Sequence, residues 1–155
     1  MRVMPNMTVL SPSDATQTKL ATIKAINDLI GPVYIRFGRE AVPDFTSSTQ
    51  NFSIGKGQLM KEGKEISIIA TGHMVWEALQ AAYQIEKEGI DVRVINIHTI
   101  KPIDEEIIIR AARETKAIIT AEEHQVMGGF GSAVAEVVVK NHPVPMDFVG
   151  MKDSF

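Results

Sequence analysis

The sequence predicts an α/β fold, three αβα layers on a mostly parallel sheet, and three observations carry that prediction. Apolar runs rich in β-branched residues alternate from end to end with segments whose apolar residues recur every three or four positions, as in strands joined by crossover helices. Gly31-Pro32, Gly72, Gly89 and Gly128-Gly129 stand at the joints, where such chains turn. Ile66–Thr71 reads as a buried strand, and a parallel strand needs a covering layer on each face.

Taken in order, Met7–Leu10 is a short strand leading into Ser11-Pro12-Ser13-Asp14. There Ser11 caps a helix with Pro12 in its first turn and Asp14 in the capping-box position, or Ser13 caps one that begins slightly later. Leu20, Ile23, Ile26 and Ile30 recur at helical spacing and predict one buried stripe, and Gly31-Pro32 stops the helix. Val33–Ile35 is the next strand and ends in Arg36-Phe37-Gly38-Arg39. From Glu40 to Ser53 the composition turns to Pro, Ser, Thr, Gln and Asn without periodicity, which marks a connector and a domain boundary. Beyond it follow the strand Ile66–Thr71, a helix over Met74–Glu88, the strand Asp91–His98, and a helix over Glu105–Glu114 capped by Asp104. A strand over Ala117–Ala121, a helix over Ser132–Asn141 and a last strand over Met146–Val149 complete the chain.

The first 40 residues are too small a strand-helix-strand unit to bury their own faces, and no helix follows the last strand. Both ends are therefore expected to be cut from something larger. The 155 residues carry 16 Lys and Arg, 19 Asp and Glu, a net charge of −3 and no cysteine. Disulfides, a cysteine nucleophile, Cys-ligated zinc and iron–sulfur clusters are excluded. No basic face is available to follow a phosphate backbone, so nucleic acid is not an expected partner. No apolar run approaches a membrane span, and a cytoplasmic location is the expectation.

Four sites offer candidate chemistry. The Gly128-Gly129-Phe130-Gly131 loop lies between a strand and a helix, where backbone amides can hold a phosphate. Its spacing matches neither common phosphate-loop motif, and tight turning is the simpler explanation. Glu122-Glu123-His124 stands at the carboxyl end of a strand, where open sheets present functional groups, but adjacent strand residues face opposite ways. His73 and Glu77 put two possible ligands four residues apart at a helix start without a third. Arg36 and Arg39 leave a strand at its carboxyl end, suited to bidentate capture of a phosphate or to ion pairs with Glu40 and Asp44. Met74, Trp76, Leu79 and Tyr83 form a helix stripe and its flank, explained by core packing or burial against a second subunit.

From Met1-Arg2-Val3-Met4-Pro5-Asn6-Met7-Thr8-Val9-Leu10-Ser11-Pro12-Ser13-Asp14 onward the chain resembles the carboxyl-terminal third of transketolases. The likeness runs through Gly31–Arg36, Phe52–Gly57, Ile69–Gly72, Thr99-Ile100-Lys101-Pro102-Ile103-Asp104, and Thr120–His124 followed by Gly128–Ser132. Deoxyxylulose phosphate synthase and 2-oxo-acid dehydrogenase beta subunits share the architecture. The resemblance implies that residues 1–40 are the last strand-helix-strand of a pyrimidine-binding domain, 41–52 a linker, and 53–155 the carboxyl-terminal domain without its last helix. It further implies two-carbon ketol transfer between sugar phosphates, as in the pentose phosphate pathway. Thiamine diphosphate and a divalent metal (Mg or Ca) would serve the complete enzyme, with neither bound to this chain alone. No catalytic or cofactor-binding residue and no metal ligand is expected in this chain; Arg39 matches the position of a substrate-phosphate ligand, while Arg36 is structural. The implied partners are the amino-terminal domains or a separate amino-terminal subunit, a second copy in a homodimer, and sugar-phosphate substrates.

Overall fold

The computed structural model describes residues 1–47 and 51–153. Its elements, in chain order, are β1 (Thr8–Leu10), α1 (Ala15–Asp28), β2 (Val33–Ile35), β3 (Gln58–Lys61), β4 (Ile66–Ala70), α2 (Met74–Glu86), β5 (Val92–Asn96), β6 (Thr99–Lys101), α3 (Glu105–Glu114), β7 (Ala117–Gln125), α4 (Phe130–Asn141) and β8 (Met146–Met151). They form a five-stranded sheet in the order β3-β5-β4-β7-β8 and a three-stranded sheet in the order β2-β1-β6. In the larger sheet only β3 runs antiparallel to its neighbour.

Except along the edge strand β8, where Phe148, Val149 and Met151 are partly exposed, the larger sheet is covered on both faces, giving the three αβα layers expected. On one face Ile68, Ala70, Val92 and Val94 pack with Val75, Ala78, Leu79 and Ala82 of α2. On the other, Ile69, Ile95 and Ile118 pack with Ile107, Ile108 and Ala111 of α3 and Val134, Val137 and Val138 of α4. The alternation of Ile68 and Ile69 between the two cores is the period-two geometry of a strand buried on each side.

The smaller unit departs from expectation. Of the predicted stripe only Leu20 packs inward, half-buried against the smaller core, while Ile23 (45%) and Ile26 (76%) of α1 and Ile30 (106%) just past its end are exposed. The helix buries Gln17, Ala21 and Ala25 instead, because alanine lets it lie close to the sheet and Gln17 has partners there. Gln17 Oε1 accepts from Ser13 N (2.9 Å), Ser13 Oγ (3.0 Å) and Asn96 Nδ2 (3.2 Å), and its Nε2 donates to Gln58 Oε1 (2.8 Å). A period reports which residues share a face, not which face is inward. The cap is Asp14, neither Ser11 nor Ser13: its Oδ1 accepts from Gln17 N at 2.8 Å. Its other oxygen accepts from Phe45 N (3.0 Å) and Thr46 N (2.6 Å), tying the connector to the start of α1.

Three further boundaries differ. β3 falls in Gln58-Leu59-Met60-Lys61, which has no β-branched residue and whose pairing with β5 is long-range. β6 joins β1 antiparallel, so the smaller sheet draws strands from both sides of the connector. β7 runs on to Gln125, four residues beyond the predicted end, carrying Glu122, Glu123 and His124 within the strand.

Candidate functional site

The carboxyl ends of β1, β2 and β7 converge on a cavity of about 380 Å³. Arg2, Ser11, Arg36, Glu122, Glu123 and His124 are among its polar lining, with Val9, Ile100 and Phe130 among the apolar walls. Arg36 enters because its backbone N–H donates to Leu10 O at 2.9 Å, prolonging β2 by one residue. Its Nη1 donates to Glu123 Oε2 at 2.9 Å across 87 residues of sequence. The structure therefore brings Arg36 together with the Glu122-Glu123-His124 run and gives it an ion pair.

Glu122 turns the other way, as adjacent strand residues must. It is 2% exposed, and its carboxylate accepts from Phe130 N (2.6 Å) and Gly131 N (2.8 Å) at the first turn of α4. The site where a phosphate would lie is thus filled by an internal carboxylate, which satisfies free helix amides and the positive helix end together. Gly129 is needed for this closeness, since a Cβ there would overlap the Glu122 carboxylate. Burial pushes the Glu122 carboxyl up, against the opposing effect of the two amides and of Arg2 and Arg36. Burial also pulls the His124 imidazole down, Arg36 acting in the same sense and Glu123 against it.

Arg39 lies apart. Three residues past Arg36, it is exposed, makes no hydrogen bond or ion pair with any described residue, and does not line the cavity. His73 occupies the N-cap position of α2 and Glu77 is exposed one turn on. Among the described residues no three His, Asp or Glu side chains gather as a metal site. With α4's amides spent on Glu122, these residues do not fit a diphosphate and its metal, and no chemical step is assigned to such a group on this chain. Of the stripe on α2, Leu79 is buried, Trp76 lies 5.5 Å from Phe45 ring to ring, and Tyr83 is 50% exposed.

Two features went unseen in the sequence. Arg2 donates to both oxygens of Glu136 at 2.9 and 2.7 Å, walling the cavity. His98, 1% exposed, stacks on Phe52 at 4.2 Å and shares a hydrogen bond with Thr99 Oγ1 at 3.0 Å. Burial pushes its imidazole down to about 4. No local signal marks either one: a lone arginine and a histidine inside an apolar run acquire their meaning from distant partners.

Residues 55–154 match the family described as transketolase, C-terminal domain. The chain belongs to this transketolase family. It is 45% identical over 155 residues to a 6-deoxy-6-sulfo-D-fructose transketolase subunit of Clostridium sp., covering all of this chain and 48% of that protein. To an apulose-4-phosphate transketolase subunit of Phocaeicola vulgatus it is 41% identical, covering 99% of this chain and 49% of that one. A solved split-gene transketolase, described as an inactive beta4 tetramer, superposes with a TM-score of 0.96 at 49% identity, over all of this chain and 51% of that chain. The chain thus spans about half the length of the curated transketolase subunits it matches. Among the described residues no helix is long and apolar enough to cross a membrane.

Proposed function

We propose that the chain is the carboxyl-terminal part of a thiamine diphosphate-dependent ketol transferase acting on sugars with a terminal anion. In this reading a further polypeptide, or a preceding segment of the same one, supplies the thiamine chemistry, and Arg39 supplies a contact to the substrate phosphate. The single observation that carries the reading is the full-length likeness to transketolase subunits of which this chain spans about half. The difference between the two arginines supports the assignment within it: Arg36 is committed to Glu123, whereas the Arg39 guanidinium is exposed without a described partner. A guanidinium held free in this way is suited to an incoming phosphate.

The same reading divides the chain into residues 1–40, 41–52 and 53–155, and assigns a covering partner to the exposed Ile23 and Ile26 of α1 and Ile30 just past its end. Homodimerisation and a cytoplasmic setting belong to it as well. A deoxyxylulose phosphate synthase role is the second reading, favoured by 34% identity over 157 residues to such an enzyme of Crocosphaera subtropica, although the chain covers 25% of that protein. The sulfo-sugar relative suggests that the anion is a sulfonate or a phosphate, both of which offer three oxygens to an arginine.

The test is ketol transfer by this chain combined with the polypeptide or preceding segment proposed to supply the thiamine chemistry, with thiamine diphosphate and a divalent metal present. Transfer between a ketose phosphate and an aldose phosphate is the expected result, and its absence alongside condensation of pyruvate with an aldose phosphate would move the assignment to the second reading. In the active assembly Arg39→Ala should weaken binding of phosphorylated acceptors by roughly 1.5–3 kcal/mol, the value of a charged hydrogen bond. The loss should appear chiefly in KM, because a phosphate remote from the reacting carbons is held equally in ground and transition states. An unchanged KM removes Arg39 from the site.

A further inference from the structure

We propose that His73 is the positioning residue for Arg39, so that the start of α2 sets the loop that presents the guanidinium; this rests on the reading of Arg39 as an anion contact. The loop is pinned at its two ends. At one end Arg36 N donates to Leu10 O and its side chain pairs with Glu123. At the other, the Asp44 carboxylate accepts from Thr16 N at 3.0 Å and Thr16 Oγ1 at 2.7 Å. Between them residues 37–43 make no hydrogen bond with any described residue.

What supports the middle of the loop is the imidazole of His73. A Cβ built on Gly38 would fall inside that ring, overlapping Cε1 and Nδ1 and lying 2.7 Å from Nε2. Gly38 is therefore required for space, and the ring stands against its backbone one residue before Arg39. His73 is itself firmly mounted. Gly72, at φ +58°, turns the chain and donates to Ser11 O at 3.2 Å, and Val75 behind it is fully buried in the core under α2. Beside the contact lies a hollow of about 250 Å³ lined by Phe37, Gly38, Glu40 and His73. His73 Nδ1 is buried in it and has no hydrogen-bond partner among the described residues. A ring held there without a polar bond acts by its shape: it fills the space under Gly38 and limits the positions open to the next residue.

The experiment uses the active assembly and compares Arg39→Ala, His73→Ala, His73→Phe, Gly38→Ala and the double variant Gly38→Ala with His73→Ala. Each is assayed with a phosphorylated acceptor and with the same aldose lacking its phosphate. His73→Ala should raise KM for the phosphorylated acceptor roughly 3- to 30-fold, less than Arg39→Ala does, with kcat and the unphosphorylated acceptor unaffected. His73→Phe keeps a flat ring in place and should restore a KM near the parent value. Gly38→Ala should match His73→Ala, and the double variant should be no worse than either, because removing the ring makes room for the Cβ. Cleavage by trypsin after Arg39 gives a readout independent of turnover and should quicken in His73→Ala but not in His73→Phe. If Arg39→Ala leaves KM unchanged, the anion-contact reading fails and this inference with it. If Arg39→Ala raises KM while His73→Ala does not, the positioning inference alone is overturned. Equal losses with both acceptors, or a fall in kcat, would show general damage and overturn it too; should His73→Ala not fold, Gly38→Ala against His73→Phe decides.

Discussion

The two sheets of this molecule solve the same burial problem differently. The five-stranded sheet is covered by its own helices over its centre, with Ile69, Val94, Ile108, Ile118 and Val134 all fully buried, while its edge strand β8 leaves Phe148, Val149 and Met151 partly exposed. The three-stranded sheet has a smaller apolar cluster of Leu10, Ala21, Ala25 and Phe52 and is joined to the larger sheet by a polar network in which Gln17 meets Gln58 of β3 and Asn96 of β5, while Ile23 and Ile26 of α1 and Ile30 just beyond it are exposed. Each unit buries an apolar cluster and leaves apolar surface open, the larger along β8 and the smaller on the outer side of α1. The outer side of α1 is the face that the proposed assembly would cover.

Breaking the first sheet should cost the most. Ile108→Ala removes a fully buried side chain between α3 and the sheet and should destabilise the chain by about 2–5 kcal/mol in denaturant unfolding. A loss below about 1 kcal/mol would mean that the larger core is looser than its closure implies.

The boundary between the units holds His98, whose imidazole burial lowers from 6.5 to about 4. A depressed value means that the folded chain resists the proton that the unfolded chain accepts. Stability is then full above pH 6.5 and declines as pH falls from 6.5 to about 4, by at most about 3 kcal/mol in total. The raised Glu122 carboxyl acts in the opposite sense, favouring the fold as pH falls through its own value. The informative quantity is therefore the difference in slope between the parent and His98→Gln across this range. Equal slopes would show that His98 does not carry the effect.

Next in size is the polar network. Gln17→Ala strips Ser13 N of its acceptor and Asn96 Nδ2 of the shortest of its three and should cost about 1–3 kcal/mol through buried groups left poorly paired. The smallest effect sharpens the comparison most. Ile26→Lys should change the stability of the isolated chain by less than about 0.5 kcal/mol, as for an exposed position, yet weaken association with the polypeptide proposed to supply the thiamine chemistry or abolish self-association in sedimentation. An unaffected association would show that the outer face of α1 is not the covered surface.

Much of this architecture was legible in the chain. The alternation of β-branched runs with helical periods, and the glycines at the joints, marked every helix and all strands except β3 and β6. The paired motifs of the resemblance led to the family that the later matches bear out. The site was legible only in composition: Arg36, Glu122, Glu123 and His124 were marked as candidates, but their division of labour was not. Arg36 and Glu123 are 87 residues apart, and no local rule distinguishes an arginine that finds a carboxylate from one that does not.

The sequence by itself determined, among the described residues, the four helices and six of the eight strands, because side-chain branching, period and turn chemistry act over a few neighbours, whereas β3 and β6 follow from pairing with the distant β5 and β1. It also determined that this is a transketolase-type domain, through an ordered set of short motifs. The tertiary structure alone decided which side of α1 faces inward, since the alanines and Gln17 find their complement only once β1, β3 and β5 are in place. It decided that Glu122 occupies the amides of α4, and that His73 stands against Gly38 beneath the Arg39 loop. In each case the deciding contact joins residues far apart in the chain, and its energy exists only after the fold has brought them together.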